Sequence, residues 1–253
     1  MGPSFFQVLR MKIKVMTLNI HKGFSLFNQR LILKELKDEI KAHEVDILCL
    51  QEVLGEHRVH AKRPQFEMIA DQIWKHYAYG KNAVYSNGHH GNAILSQFPF
   101  LEFENFDISN HRFERRGVLH GVISAPEWKG RRVHVMTVHM DLLSAGRKKQ
   151  TERLLGLIRM RVKPSEPLIL AGDFNDWSEE LSECFFERAG LIEAHFEHFG
   201  EHARTYPSAF PVLKLDRIYV RDLEIESVQR LAGNPWGSLS DHLGLVSELR
   251  LLL

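Results

Sequence analysis

Six positions along the chain end or interrupt apolar runs with side chains that can handle phosphate. They are Asn19, Glu52, His139, the pair Asp173 and Asn175, Asp216, and the pair Asp241 and His242. Carboxylates hold a metal ion or take a proton from water. Amides and imidazoles give hydrogen bonds to oxygens on which negative charge builds. The most telling stretch is 168–175, where Leu168, Ile169, Leu170 and Ala171 run into Gly172, Asp173, Phe174 and Asn175. Four apolar residues suit a strand covered on both faces. Side chains alternate along a strand, so Asp173 and Asn175 share a face.

Each residue alone has an ordinary explanation. Asp and Asn commonly cap turns after strands, and Glu52 can be a surface residue. His139 can be a hydrogen-bonded core histidine, and Asp216 can pair with Arg217. Their recurrence is harder to dismiss. Polar groups half-buried without partners cost about 1–3 kcal/mol each, and one shared site with metal, water and substrate satisfies them together.

The elements that must position these residues can be read from periodicity. Strands are expected over 13–19, 45–50, 83–85, 93–96, 101–108, 117–124, 133–139, 168–175, 215–220, 223–229 and 243–249. Helices are expected over 28–43, 65–76, 150–162 and 179–188, the last capped by Ser178. After residue 80 consecutive strands lack intervening helices, which fits a purely parallel sheet poorly. Two packed mixed sheets with outer helices fit better. No linker, repeat or composition break divides the chain, so residues 13–253 are expected to form a single domain behind an extension at 1–12.

The bulk properties bound the function. The chain has 253 residues, 44% hydrophobic and 26% charged, with a formal net charge of +1. A soluble α/β protein fits, and no global field marks a nucleic acid or membrane partner. Cys49 and Cys184 make no disulfide framework, and a reducing, cytoplasmic location is expected. Residues 1–14 do not read as a signal peptide, and no apolar run reaches the roughly 20 residues of a membrane span. No zinc-spaced Cys/His cluster is present.

Taken in order, Thr17-Leu18-Asn19, Gln51-Glu52, Val138-His139, Gly172-Asp173-Phe174-Asn175, Leu215-Asp216-Arg217-Ile218 and Ser240-Asp241-His242 resemble the motif set of the endonuclease/exonuclease/phosphatase superfamily. The resemblance runs from about residue 13 to the C-terminus, and Thr205 to Ser208 fits it. It implies a deoxyribonuclease-I-like, four-layer α/β (α+β-type) sandwich of two mixed sheets flanked by helices. It also implies hydrolysis of a phosphate ester with Mg²⁺, for which Mn²⁺ is the expected substitute. Mg²⁺ takes oxygen ligands, which makes Glu52 the leading ligand with Asn19 in support. Asp241 is a second ligand or an organiser. The resemblance gives Asp173 the water to orient and deprotonate, and Asn175 a phosphate oxygen. His242 donates to another oxygen or polarises the water, with Asp216 fixing its tautomer. Which of Asp173 and His242 takes the proton stays open. His139 is the position at which branches differ; a histidine there is similar to the deoxyribonuclease-I and sphingomyelinase-like branches and can protonate the leaving alkoxide. Asp141 is a weaker candidate for orienting it. Asn92 and Arg116 also fit phosphate-contacting roles.

Substrate choice belongs to the loops. Those at 58–63, 112–116 and 147–149 are basic, and Trp177, Tyr206 and Trp236 lie close to motifs, where an aromatic ring can stack a base. A nuclease-like phosphodiesterase is the leading expectation. A phospholipid headgroup is the main rival substrate, with Phe24, Leu26 and Phe27 as its apolar rim. A phosphomonoesterase of the same fold also stays in view, whereas a catalytically dead binding module should have lost part of the polar set. A monomer without an obligate protein partner is expected.

Overall fold

Apolar runs covered on both faces form the centre of each of two sheets. The computed structural model describes residues 12–26, 30–58, 63–111 and 115–252. Within them, β1 (Lys12–Asn19) pairs in parallel with β2 (Ile47–His57). Around this pair β3 (His76–Tyr85), β4 (Gly88–Ser96), β11 (Leu223–Arg230) and β12 (Leu245–Leu251) complete a six-stranded sheet, in the order β11-β12-β1-β2-β4-β3. The second sheet has β5 (Phe100–Asp107), β6 (Gly117–Ile123), β7 (Val133–His139), β8 (Leu168–Asp173), β9 (Ile192–Glu193) and β10 (Asp216–Arg221). Its order is β5-β6-β7-β8-β10-β9, and its parallel contact is β7 with β8.

Between the sheets pack Ile13, Val15, Ile47, Cys49 and Ile94 from one and Leu119, Val135, Ile169, Ala171 and Ile218 from the other. Helices α1 (Leu33–Ala42) and α2 (Gln65–Ala70) cover the outer face of the first sheet through Leu36, Ile40, Phe66 and Ile69. Helices α3 (Ser144–Arg161) and α4 (Leu181–Ala189) cover the second through Leu154, Leu155, Ile158 and Phe185. The result is the expected four layers. Two short helices, α5 (Ala194–Phe199) and α6 (Trp236–Leu239), complete the α-helices among the described residues.

Register places the chemistry. The parallel pairs β1–β2 and β7–β8 end at the same rim, where Asn19 lies opposite Gln51 and His139 opposite Asp173. Antiparallel pairing then sets Asp216 against Asp173. Gly172 makes this row possible: its φ is 151°, and a Cβ there would sit 2.1 Å from the Val138 carbonyl oxygen.

Local boundaries depart from expectation in several places. The helix expected over 28–43 is α1, and residues 27–29 lie outside the described residues. The helix expected over 65–76 stops at Ala70, because Gln72 takes a left-handed backbone (φ 64°) and His76 already begins β3. Ser178 does not cap α4. The Asp176 carboxylate does, accepting from the backbone N–H groups of Glu180 (3.2 Å) and Leu181 (3.1 Å).

Candidate active site

Asp173 is the hub of the rim. Its Oδ2 accepts from Asn19 Nδ2 (3.1 Å) and its Oδ1 from the backbone N–H of Asn175 (3.0 Å). The Nε2 atoms of His139 and His242 stand 3.5 and 3.8 Å from Oδ2. Burial pushes the Asp173 carboxyl up to about 7 against the pull of His242, with Asp216 reinforcing the rise. Asp216, fully buried, holds His242 Nδ1 at 2.8 Å. Burial disfavours a charged His242, but Asp216 and then Asp173 outweigh it and raise the imidazole to about 10. Thr205 Oγ1 accepts the Asp216 N–H (3.3 Å), and the Tyr206 ring packs 4.9 Å from that of His242.

The first sheet builds the other half, from the end of β1 and from a bulge inside β2 between Leu50 and Val53, since β2 runs on past the expected end at residue 50 to His57. Glu52 has a left-handed backbone (φ 56°), as does Asn175 (φ 50°). Such positions cost roughly 1–3 kcal/mol each and cluster at functional sites. Lys22, in the turn His21–Gly23, sets its ammonium 2.7 Å from Glu52 Oε2. Burial works to raise the Glu52 carboxyl, yet the charge around it, with the Lys22 ammonium in direct contact, holds it well below the usual carboxylate range. Asp241 Oδ1 accepts from Ser240 Oγ (3.3 Å) and lies 3.7 Å from His21 Nδ1. Ser240 Oγ is also 2.7 Å from the Asn19 carbonyl oxygen.

Several expectations need correcting. Asp141 does not orient His139: its carboxylate accepts from the Leu143 N–H and from Asn110 Nδ2. Burial, seconded by the Arg116 charge, keeps His139 well below its usual value and therefore neutral. Asn92 turns its amide N–H₂ to the carbonyls of Gly117 (3.1 Å) and Thr137 (3.4 Å), bridging the sheets beneath the rim. Gln51 makes a second bridge, from Nε2 to Thr137 Oγ1 (2.9 Å). Trp236 is buried against His43 and offers no face for a base. Arg116 lines a cavity of about 420 Å³ with Lys81, Asn82, Asn105 and Arg115. Of the basic loops, residues 59–62 and 112–114 lie outside the described residues, as does Phe27.

Two groups offer ligands for a metal. Asp173, Asp216 and His242 bring ligand atoms within 4.8 Å of one another. In that set His242 and Asp216 already share a proton at 2.8 Å. Glu52 is the better fit for a hard cation: its donors are oxygens, and the Lys22 ammonium already rests on it as a stand-in cation, whereas Asn19 Oδ1 accepts from the His21 N–H (3.0 Å).

A second constellation, at α4 and α5, has the spacing of a nucleophilic triad. Ser182 Oγ lies 3.0 Å from His202 Nε2, and His202 Nδ1 lies 2.8 Å from Glu193 Oε2. Arg217 Nη1 (3.0 Å) and the Tyr219 hydroxyl (2.8 Å) also hold Ser182 Oγ. With Cβ, these partners fill all four tetrahedral directions of the oxygen, leaving no approach for an electrophile. The cluster is a polar support for the buried Arg217.

Two packed mixed sheets of this kind are the fold of a family whose members are generally hydrolases acting on phosphate esters and typically use a divalent metal. Residues 16–242 match the endonuclease/exonuclease/phosphatase family, and the chain belongs to it. The protein YbhP of Escherichia coli K12 is 42% identical over 252 residues, 97% of this chain and 99% of that one. An endonuclease/exonuclease/phosphatase of Beutenbergia cavernae superposes with a TM-score of 0.77 at 20% identity, over 96% of this chain and 72% of that one. The human Nocturnin catalytic domain, solved with a bound sulfate, gives 0.76 at 21%, over 95% of each chain. Zebrafish (D. rerio) TDP2, solved with a single-strand DNA product, gives 0.71 at 17%, over 94% of this chain and 99% of that one. Among the described residues no helix is long and apolar enough to cross a membrane.

Proposed function

We propose that the protein is a divalent-metal-dependent phosphodiesterase with a nucleic-acid-type diester as its substrate. The observation that carries this reading is Asp173. Its carboxyl is raised to about 7, so it can take a proton near neutral pH, and it is held by donors on both oxygens. Asp173 orients a water and accepts its proton. His242, kept cationic by Asp216, donates from Nε2 to a phosphate oxygen as charge builds there. Asn175 spends one amide hydrogen on the Met140 carbonyl (3.0 Å) and keeps the second for the phosphate. Neutral His139 donates a hydrogen bond from its ring N–H to the leaving oxygen and stabilises the charge there while keeping its proton. Mg²⁺ or Mn²⁺, held by Glu52 with Asn19 and Asp241, would neutralise phosphate charge and stabilise the leaving oxygen.

Diesters are favoured over monoesters by charge. Glu52, Asp173, Asp216 and Asp241 crowd the rim, and a monoester brings one more negative charge to it. The free thiols Cys49 and Cys184 suit a reducing compartment, so we place the enzyme in the cytoplasm, acting as a monomer. The test is a panel of DNA, RNA, bis-p-nitrophenyl phosphate, phospholipids and sugar phosphates, assayed with Mg²⁺, Mn²⁺ and EDTA. Diesters should be turned over only with metal and should outrank monoesters. Turnover in EDTA, or the reverse ranking, refutes the proposal.

A further inference from the structure

Two residues beyond Asn175, the indole of Trp177 stands 45% exposed. One face of it is occupied: the Arg147 guanidinium lies 4.6 Å from the ring centroid. Arg147 comes from the first turn of α3 and is itself buried. Its Nη1 donates to the carbonyl oxygens of Leu142 (2.6 Å) and Asp141 (3.4 Å), and no carboxylate among the described residues pairs with it. Burying a guanidinium costs desolvation; the two carbonyls and the indole face are what it gains in return.

The segment beside Trp177 is equally fixed. Met140 to Leu143 follow directly on His139. The Asp141 N–H donates to Gln150 Oε1 (2.8 Å), and Asp141 Oδ2 accepts from Asn110 Nδ2 (3.1 Å). Gly146 leaves room for this carboxylate, since a Cβ there would lie 2.0 Å from Oδ2. Asn175 Nδ2 ties the Met140 carbonyl to the Asp173 segment. So held, the segment presents Leu142 (53% exposed) and Leu143 (70%) to solvent. A flat ring with one face covered by Arg147 thus stands two residues along the chain from Asn175, and the same guanidinium ties it to the segment that follows His139.

We propose that Trp177 is a stacking platform for the base of a nucleoside carried by the phosphodiester, with Arg147 as the positioning residue that holds the indole in place. The inference rests on the diesterase reading above. A planar heterocycle matches the open indole face, whereas an alkyl group would gain no more from it than from leucine. Stacking of this kind tolerates every base, so the platform selects nucleosides as a class and not a sequence.

The test compares two diesters with one leaving group, thymidine 5′-(p-nitrophenyl phosphate) and methyl p-nitrophenyl phosphate, in Mg²⁺. Wild type should prefer the nucleoside diester. In Trp177→Ala the ratio of the two kcat/KM values should fall by about 5- to 150-fold, the range of base–aromatic stacking, and the fall should lie in KM. Trp177→Phe should keep most of the preference. Arg147→Lys should lower it without matching Trp177→Ala. Turnover of both diesters with no nucleoside preference, or an equal loss on both in Trp177→Ala, overturns the platform and leaves the diesterase reading standing. Hydrolysis of neither overturns both. Phosphatidylcholine–phosphatidylglycerol vesicles cleaved faster than either soluble diester, with that activity lost in Trp177→Ala, would overturn it in favour of a lipid-facing rim.

Discussion

The acid limit of this protein should be set by a histidine pair well away from the reacting groups. His120 on β6 and His134 on β7 stack with Nε2 to Nδ1 at 2.9 Å, and His134 Nε2 reaches Glu166 at 3.2 Å. Both are buried. Burial, helped by His134, pushes His120 down to about 4, and burial also lowers His134. The unfolded chain therefore binds the proton first, below about 6.5, while the folded chain resists until about 4. Between those values the unfolded state holds more protons, so stability falls as pH falls. For His120 alone the loss is about 2 kcal/mol at pH 5 and about 3 kcal/mol at pH 4, relative to neutral pH. His120→Gln can still donate to His134 Nδ1 but does not titrate. Urea unfolding at pH 7.5, 6 and 5 should show the variant keeping about 2 kcal/mol more of its neutral-pH stability at pH 5. Equal pH slopes in both proteins would refute the reasoning. Because β7 carries His139, activity lost below pH 5 should return on neutralisation, as refolding allows.

Other expectations concern the rim. Glu52→Gln should raise the metal concentration needed for half-maximal activity at least about tenfold, read by Mn²⁺ titration of bis-p-nitrophenyl phosphate hydrolysis; an unchanged curve would remove Glu52 from the metal site. Asp173→Asn and Asn175→Ala should each cut kcat by about 10²-fold or more with melting temperatures near wild type, and melting that collapses in step with activity would make these residues structural; His242→Ala should cut kcat as much and also lower the melting temperature, because it leaves the buried Asp216 carboxylate without its partner. His139→Ala should slow natural diesters by about 10²–10³-fold, the usual cost of losing one hydrogen-bond donor to a developing charge, and spare nitrophenyl esters, whose leaving group needs little help. Equal losses on both would show that His139 binds phosphate instead.

How much of this was legible in the sequence depends on how local each signal is. Strands such as Leu168–Asp173 announce themselves, because burial on both faces demands an unbroken apolar run. The polar residues at their ends were equally visible. Partnerships across the fold were not. Nothing near Asn92 says that its amide will bridge two sheets, nor does Asp141 reveal that its carboxylate is taken by Asn110 and Leu143. Asp176 displaced Ser178 as the cap of α4 because its two oxygens can take two N–H groups at once. The neutrality of His139 and the charge on His242 depend on burial and on neighbours distant in sequence, Arg116 and Asp216.

The bridges made by Gln51 and Asn92 have a mechanical consequence. Asn19 and Glu52 stand on one sheet, and His139, Asp173 and Asp216 on the other. The gap between the sheets is therefore the jaw width of the site, gauged by the small residues Cys49, Ala78 and Ala171 between them. A larger side chain there would prise the jaws open from behind, and a close-packed interior passes such displacement on instead of absorbing it. Ala171, two residues short of Asp173, is thus as much a part of the tool as the groups that grip the substrate. Catalytic rate becomes a gauge of core spacing, sensitive to substitutions that never meet solvent, metal or phosphate.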